Sequence, residues 1–302
     1  AKEERPPLTN ILARSLQLTV TLSPIVIATP ALLLPGGRVY VFEPAVAHAL
    51  EQSGAAFIKL AQWASTRPDI LPRTLCDALS RLHSSAPSHS FDATRAEVEA
   101  ATGAPLESTF RVFEEKPVAS GSIGQVHRAW LREDANLLLG RMKRSGAGSA
   151  SSSSRQVAVK VRHPGVVLQM QTDFWLMGRL AAIVERIPGL GWLDTKALVG
   201  QFGASLSNQV YLNVEGEQLH RFGKHFRKWR DVGVPRLLLA TESVLVESFA
   251  SGRTVGSFTQ QPGLARKSLT LSQRQYIVRR GVDIYLKMLL VDNLMHADLH
   301  PG

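Results

Sequence analysis

The order of strand patterns and a low-complexity tract between residues 110 and 166 constrains the fold more than any other part of this sequence. Residues 110–131 alternate apolar and polar side chains around small residues at 118–124, which predicts two strands joined by a small-residue turn. The Ser- and Gly-rich tract at 140–155 cannot bury enough apolar surface to order itself. QVAVKVRHP at 156–164 then resumes the strand pattern. The chain therefore needs a sheet that tolerates a flexible insert between two of its strands.

Apolar residues at three- and four-residue spacing predict helices on both sides of these strands. Before the strands, helices are expected at 44–66, 73–83 and 93–102, with breaks at Pro68 and Pro72 and a loop at 84–91. After them, helices are expected at 166–187, 196–222 and 272–293, the last with Thr270 or Ser272 as its N-cap. Residues 234–252 predict two strands that meet at a turn near Glu242.

The segment between Arg14 and Arg38 carries no charge, and residues 15–34 are rich in Leu, Ile and Val. A run of this length can cross a bilayer. Pro24, Pro30 and several threonines fit a buried or interfacial pair of helices equally well. Both interpretations stay open on the sequence.

The charge balance favours anionic partners. The chain has 35 Lys and Arg against 25 Asp and Glu, a net charge of +10, which suits nucleic acid, acidic lipid or nucleotide phosphates. The basic residues are scattered apart from a loose group at 221–230, and no helix-turn-helix, zinc-finger or RNP-like pattern accompanies them. Nucleic acid is therefore not expected as a partner. The single cysteine, Cys76, excludes an internal disulfide and is expected to be a small buried residue.

Two patterns in the strand region could carry phosphate chemistry. In VAVK at 157–160, the Lys160 ammonium could reach nucleotide phosphates and pair with a helix glutamate, although a solvent-facing strand lysine is the commoner meaning of such a pattern. In the turn at 118–126, small residues leave backbone amides open to phosphates, with an ordinary hairpin as the alternative. The small residues of this turn are Ala119, Ser120, Gly121 and Gly124.

The last stretch, DNLMHADLHPG at 292–302, allows three interpretations. Asp298, two residues after His296, could accept a proton from an attacking hydroxyl. His296, Asp298 and His300 could instead ligate a metal, because alternate residues point one way on a strand. A polar loop after a helix is the third interpretation.

The elements follow the order of a protein kinase, from the small-residue turn and the strand lysine to a His-x-Asp loop. The sequence also resembles the UbiB-type, aarF-domain-containing atypical kinases of ubiquinone metabolism. Four stretches carry the resemblance: FIKLAQWASTRPDILP at 57–72, KPVASGSIGQVHRA at 116–129, VAVKVRHPGV at 157–166 and HADLHPG at 296–302. The Ser-rich insert and the KLAQ variant make the chain most similar to the mitochondrial aarF-domain-containing kinase 2 type.

This resemblance implies an α+β, bilobal protein-kinase-like fold with a helical N-terminal extension and a large lobe that is truncated. The first residue is Ala and the last is Gly302 within a motif, so a fragment or a processed form is expected. The expected regions are an apolar segment at 1–50, the helical extension at 51–92, a small lobe at 93–250 with its insert at 140–155, and the start of the large lobe at 251–302.

The resemblance also implies roles for individual residues. Lys59 and Gln62 match the family's regulatory Lys-x-Gly-Gln signature, with Ala61 in place of its glycine. Glu215 is the expected partner of Lys160, with Glu217 as the alternative in sequence. Asp298 would be the catalytic base, and residues 244–252 would receive the adenine. The expected nucleotide-binding residues are Val118, Ala119, Ser120, Gly121, Ser122, Gly124, Val126, Lys160 and Glu215.

Departures from the family pattern affect the expected activity. Gln209 and Tyr211 stand where the family has a Glu-x-Asp motif, which puts its self-inhibitory arrangement in doubt. Gly121 brings a usually alanine-rich loop closer to a glycine-rich one, and Leu299 replaces a proline. The expected Mg²⁺ ligands lie beyond Gly302, so no metal ligand is expected up to that residue and a chain ending there is expected to have little or no catalysis.

The parent protein is therefore expected to be an atypical kinase or ATPase that uses ATP or ADP with Mg²⁺. The family context implies a mitochondrial, membrane-associated protein of ubiquinone-linked metabolism, with a lipid or quinone precursor as a further partner. Two alternatives remain open. One is a non-catalytic, nucleotide-sensing lipid-binding protein at a membrane, and the other is a metal-dependent hydrolase built on His296, Asp298 and His300.

Overall fold

The computed structural model describes residues 5–69, 71–83, 88–135, 155–187, 194–259 and 268–295. Residues 84–87 of the predicted loop at 84–91, residues 140–154 of the insert at 140–155, and the whole stretch 296–302 lie outside these residues. The helices within them are α1 (Leu8–Ala28), α2 (Glu43–Gln52), α3 (Ala55–Ser65), α4 (Arg73–Ser80), α5 (Phe91–Thr102), α6 (Leu106–Thr109), α7 (Val166–Val184), α8 (Thr195–Ser207), α9 (Leu212–His225), α10 (Val255–Thr259) and α11 (Leu271–Leu286). The strands are β1 (Phe110–Phe113), β2 (Ala119–Ser120), β3 (Gly124–Leu131), β4 (Gln156–Arg162), β5 (Leu237–Ala240) and β6 (Val244–Ser248).

The strands form one antiparallel sheet in the order β1-β3-β4-β6-β5, with β2 paired to β3. β4 lies in the middle, and its alternate residues Val157, Val159 and Val161 are fully buried on one face. Lys160 therefore points to the opposite face, because successive side chains of a strand alternate. The α+β class and the predicted strands are confirmed.

The buried face of the sheet packs against α5 and α6. Gly103, in the left-handed conformation, ends α5, and the Ser90 side chain caps its start by accepting from the amide of Ala93. This burial removes a large apolar area from water and is the main stabilising contribution of this part of the fold. The core residues are Val98, Leu106, Phe110, Ala129, Leu131, Val157, Val159, Val161, Leu238, Leu239, Val244 and Val246.

The helical extension differs from its prediction at Gly54, where the chain turns between two helices. The single helix expected at 44–66 is two helices, α2 and α3, because Gly54 between them has a φ of 90°. A side chain is strained at this backbone angle, and glycine is not. α3 then packs its small face, Ala55 and Ala56, against a cluster formed with Val166 and Met170 of α7 and with Leu206.

A buried ion pair joins α1 to α7. Arg14 Nε donates to Asp173 Oδ1 at 2.6 Å, and the two side chains are 6% and 0% exposed. Arg14 also donates to the carbonyl of Ser53, which lies just after α2. Burial raises the pKa of the Asp173 carboxyl above its usual range, and Arg14 opposes that shift. The pair holds the first half of α1 against the body of the protein.

The helical pattern predicted at 196–222 is also interrupted. α8 ends at Ser207, and α9 begins at Leu212 after a turn in which the amide of Tyr211 donates to the carbonyl of Asn208. The first turns of α9 pack closely on the sheet at Gly216. A Cβ at this position would lie 2.6 Å from the Cβ of Ala240 on β5, so the approach requires glycine.

The described residues divide into two compact units, those within 5–220 and 235–248, and those within 221–234 and 249–295. The first unit contains both the N-terminal helices and the sheet, and the sequence had suggested these as separate regions. The second includes 221–234, because Phe222 and Phe226 share a core with Met288. The sequence assigned these residues to the small lobe, and its domain bounds stay a prediction. Within this unit α11 starts at a capping box formed by Thr270 and Gln273, which selects Thr270 over Ser272 as the N-cap.

Candidate nucleotide site

Lys160 and Glu215 form an ion pair on the face of the sheet opposite the buried valines of β4. The Lys160 ammonium lies 2.8 Å from Glu215 Oε1 and 2.7 Å from Oε2. Lys160 comes from β4, and Glu215 from the first turn of α9. Glu217, the alternative in sequence, is exposed and lies on a different side of the helix. With side-chain exposures of 30% and 44%, the pair can be reached by a ligand.

The predicted small-residue turn is a tight hairpin beside this lysine. Val118 and Gly121 donate their amides to the carbonyls of Val126 and Gly124, at 2.7 and 2.9 Å. Val126 pairs with Lys160 across β3 and β4, which places the hairpin and the lysine on adjacent strands.

Glycine is required at one position of this hairpin. A Cβ at Gly124 would lie 2.5 Å from the carbonyl oxygen of Val161, so β3 and β4 could not approach as they do. At the tip of the hairpin, the amides of Ser122 and Ile123 donate to no other backbone or side-chain group within the described part of the chain. Val118, Ala119 and Gly121 are exposed, while Ser120, Ser122 and Val126 are half-buried. The tip therefore presents open amides of the kind that donate hydrogen bonds to phosphate oxygens.

Glu247 lies within the segment 244–252 that was expected to receive the adenine, but it was not predicted as an individual site residue, although it lies on the same face of the sheet as Lys160. On β6, Leu245 pairs with Lys160 and Glu247 pairs with Ala158, so the Glu247 side chain stands diagonally next to the lysine. Burial and the nearby Glu215 carboxylate raise the pKa of Glu247 to about 7, and Lys160 opposes the shift. The sequence signal was a single charged residue inside the apolar strand VLVES, at 244–248.

The predicted regulatory residues lie on α3. Gln62 donates its side-chain amide to the carbonyl of Leu82 at 3.3 Å, and Lys59 is half-buried. Ala61, which replaces the family's glycine, is fully buried. At the position of the missing acidic motif, the Tyr211 ring lies 5.8 Å from the Arg162 guanidinium. An aromatic contact to a cation thus stands where the resemblance predicts a carboxylate.

Asp298, His296 and His300 lie outside the described residues, so their predicted roles stay predictions. Within the described ranges, no group of three or more His, Cys, Asp and Glu side chains is placed to hold a metal ion.

Comparison with known proteins identifies the family. Residues 81–141 and 147–302 match the family described as the ABC1 atypical kinase-like domain. The chain is 33% identical to a "Probable serine/threonine-protein kinase abkC" of Dictyostelium discoideum over an alignment of 304 positions, which covers 100% of this chain and 40% of that protein. It is 31% identical to a mitochondrial ABC1 family protein of Schizosaccharomyces pombe, covering 97% of this chain and 44% of that protein. A "Probable protein kinase UbiB" of Aeromonas hydrophila is 28% identical, covering 84% and 42%. The chain thus spans less than half the length of these relatives.

The fold is also found in a solved structure. Rv3197 of Mycobacterium tuberculosis, determined in complex with erythromycin, superposes with a TM-score of 0.55 at 22% identity, covering 84% of this chain and 57% of that one. At this identity the likeness concerns the fold alone. The family match over most of the sequence confirms the resemblance carried by the four sequence stretches: the chain belongs to the ABC1/UbiB family of atypical kinase-like proteins.

Proposed function

We propose that this protein binds ATP or ADP together with Mg²⁺ on the face of its sheet that carries Lys160. The observation that carries the proposal is the ion pair of Lys160 with Glu215, at 2.7 Å, on the strand next to the hairpin. A paired, accessible ammonium beside open backbone amides is an arrangement suited to di- and triphosphates.

In this proposal each described group has one role. Glu215 holds the Lys160 ammonium towards the ligand, Lys160 contributes charge to the phosphates, and the Ser122 amide at the hairpin tip donates a hydrogen bond to a phosphate oxygen. Mg²⁺ would neutralise charge on the phosphates, which phosphoryl transfer requires. Asp298 would act as the base for an attacking hydroxyl, by its match to the family's catalytic loop.

The biological context of the proposal comes from the relatives. Two yeast relatives are named as mitochondrial, and several bacterial relatives carry the name UbiB. We therefore propose a mitochondrial kinase or ATPase that supports ubiquinone-linked metabolism.

Nucleotide binding is tested by calorimetric titration of ATP and ADP with and without Mg²⁺. Lys160→Ala is expected to lose most of the affinity, because the charge facing the phosphates is gone, and Glu215→Gln is expected to weaken it. Lys196→Ala is the matched control, because Lys196 is an exposed lysine of α8. Equal affinity in Lys160→Ala and Lys196→Ala, or no binding by the wild type, would contradict the proposal.

A specific feature of α1 also supports membrane association. The segment Leu8–Leu33 is long and apolar enough to cross a bilayer, by length and composition. The most exposed apolar side chains of α1 lie within an arc of about 120° on the helix surface, opposite its buried side. They are Leu8, Leu12, Leu16, Val20, Val26 and Ile27, against Ile11, Arg14, Leu18 and Ala28 on the buried side.

The Arg14–Asp173 pair favours a helix that lies on a bilayer over one that leaves the protein to cross it. Sedimentation with liposomes is expected to be lost in the double variant Leu12→Glu/Leu16→Glu and kept in Lys196→Ala. Binding that persists in the double variant would contradict this part of the proposal.

A further inference from the structure

Three histidines form a connected hydrogen-bond chain on the face of the sheet opposite Lys160. His163, just after β4, lies with its Nε2 2.9 Å from the carbonyl oxygen of Gly121, and with its Nδ1 2.7 Å from Nδ1 of His89. Nε2 of His89 is 3.0 Å from the Thr94 hydroxyl of α5. These hydrogen bonds thus connect Thr94 of α5 to Gly121 at the tip of the hairpin.

The chain continues through the buried core to a third ring. The Gln125 side-chain amide donates to the Thr94 hydroxyl at 3.1 Å and lies 3.0 Å from Nε2 of His127. Nδ1 of His127 in turn lies 2.8 Å from the carbonyl oxygen of Glu114. Gln125 and His127 are 1% and 0% exposed, so each of these polar groups needs a partner inside the protein.

With three neutral rings, these contacts allow one set of tautomers. The carbonyl of Gly121 only accepts, so Nε2 of His163 carries the proton and its Nδ1 is an acceptor. His89 must then donate from Nδ1 and accept at Nε2 from the Thr94 hydroxyl. By the same reasoning His127 donates from Nδ1 to Glu114 and accepts at Nε2 from Gln125.

The surroundings keep the rings neutral near pH 7. Burial, with contributions from His163 and His127, lowers the pKa of His89 to about 4, against a weaker opposing effect of Glu97. Burial also lowers the pKa of His127 and of His163.

His163 holds the hairpin tip at two carbonyls. Its ring donates to Gly121, and its backbone amide donates to the carbonyl of Ile123 at 2.8 Å. In a trans peptide the carbonyl and the following amide point in opposite directions. Because the Gly121 carbonyl points at His163, the Ser122 amide points away from it.

We propose that His163 is a positioning residue for the hairpin tip, and that His89 and Thr94 hold its ring in the tautomer that donates to Gly121. The inference deepens the proposed nucleotide function and rests on it for the effect on affinity. In this arrangement β4 carries Lys160, and His163, just after β4, directs the Ser122 amide towards the phosphates. One strand and its C-terminal end therefore position both the ammonium and the amide of the site.

The test compares substitutions of His163 that differ in reach. His163→Gln places an amide donor near the position of Nε2 and keeps the bond to Gly121, whereas His163→Asn is too short and His163→Ala has no donor. His48→Ala is the control, because His48 is an exposed histidine that takes no part in the hydrogen-bond chain of the three histidines. Each protein is assayed for thermal stability without ligand, for hydrogen–deuterium exchange of residues 118–124, and for ATP affinity with Mg²⁺.

The expected result separates positioning from folding. His163→Ala and His163→Asn are expected to exchange faster at 118–124 and to bind ATP about fivefold more weakly, as for the loss of one hydrogen bond. His163→Gln is expected to restore both, with Thr94→Val intermediate and His48→Ala like the wild type. Unchanged exchange in His163→Ala, or failure of His163→Gln to recover, would overturn the inference. If no variant and no wild type binds ATP, the proposed function fails, and the exchange of 118–124 still decides whether His163 holds the tip.

Discussion

Replacing Arg14 by alanine is expected to destabilise the first compact unit strongly, because the substitution leaves a buried carboxylate without its cation. Arg14 donates to both oxygens of Asp173, at 2.6 and 2.9 Å, and also to Ser53. Asp173 is 0% exposed, so water cannot replace the lost partner. Breaking a buried ion pair at one side typically costs about 3–5 kcal/mol in the free energy of unfolding.

The pH dependence of this loss has a definite sign. An acid whose pKa is higher in the folded state destabilises the fold as pH rises from its unfolded pKa through its folded pKa. The pKa of Asp173 is already raised with Arg14 present, and removal of the guanidinium raises it further. The deficit of Arg14→Ala relative to the wild type is therefore expected to be largest near pH 8 and to shrink towards pH 5.

Urea unfolding followed by tryptophan fluorescence at both pH values measures this effect, and hydrogen exchange of α1 shows whether the helix detaches. The double variant Arg14→Met/Asp173→Leu is expected to recover most of the stability, because it removes both charges. Arg67→Ala is the matched control: Arg67 also lies 2.6 Å from its partner Asp69, but both are exposed, so little change is expected. A loss no larger than in Arg67→Ala, or a deficit that grows on acidification, would refute the reasoning.

Further substitutions test the packing and electrostatics of the candidate nucleotide site. Gly216→Ala is expected to lower the free energy of unfolding by about 1–3 kcal/mol in urea titrations, because the new Cβ would lie 2.6 Å from the Cβ of Ala240. Gly223→Ala on the same helix is expected to be neutral or stabilising, because its Cβ would meet no atom within 4 Å. Equal effects of the two substitutions would contradict the close approach at Gly216. Because the pKa of Glu247 is raised to about 7, its carboxylate destabilises the fold as pH rises from about 4.5 to 7. Glu247→Gln is therefore expected to gain about 3 kcal/mol over the wild type at pH 8 and nothing near pH 4.5. A gain that is independent of pH would show that this charge is not the cause.

Side-chain alternation and turn chemistry are local, and they were enough to predict most of the strands. The strand of Lys160, the small-residue hairpin and the pair of strands around Glu242 all lie where the sequence indicated. The end of α3 and the start of α11 were also readable, because proline and a threonine N-cap act on their own neighbours. The motifs in these elements, taken in order, identified the family.

Helix breaks were harder to predict where the apolar pattern runs through them. Gly54 lies inside a continuous periodic segment, and only its positive φ shows that the chain turns there. The turn between α8 and α9 was equally hard to predict, because Leu206 of α8 and Phe222 of α9 pack into different hydrophobic clusters. Periodicity indicates which face is buried, but it does not indicate that the helix axis changes direction.

The amino-acid sequence by itself determined the family, the order of the elements, the strand lysine and the choice of its glutamate partner, because these depend on short motifs. Only the tertiary structure decided which distant groups meet: Arg14 with Asp173, 159 residues apart, and His89 with His163, 74 apart. It also placed Glu247 beside Lys160 by strand register. The physical reason is that burial, charge and ring tautomers are set by neighbours in space, and the order of residues along the chain does not specify those neighbours.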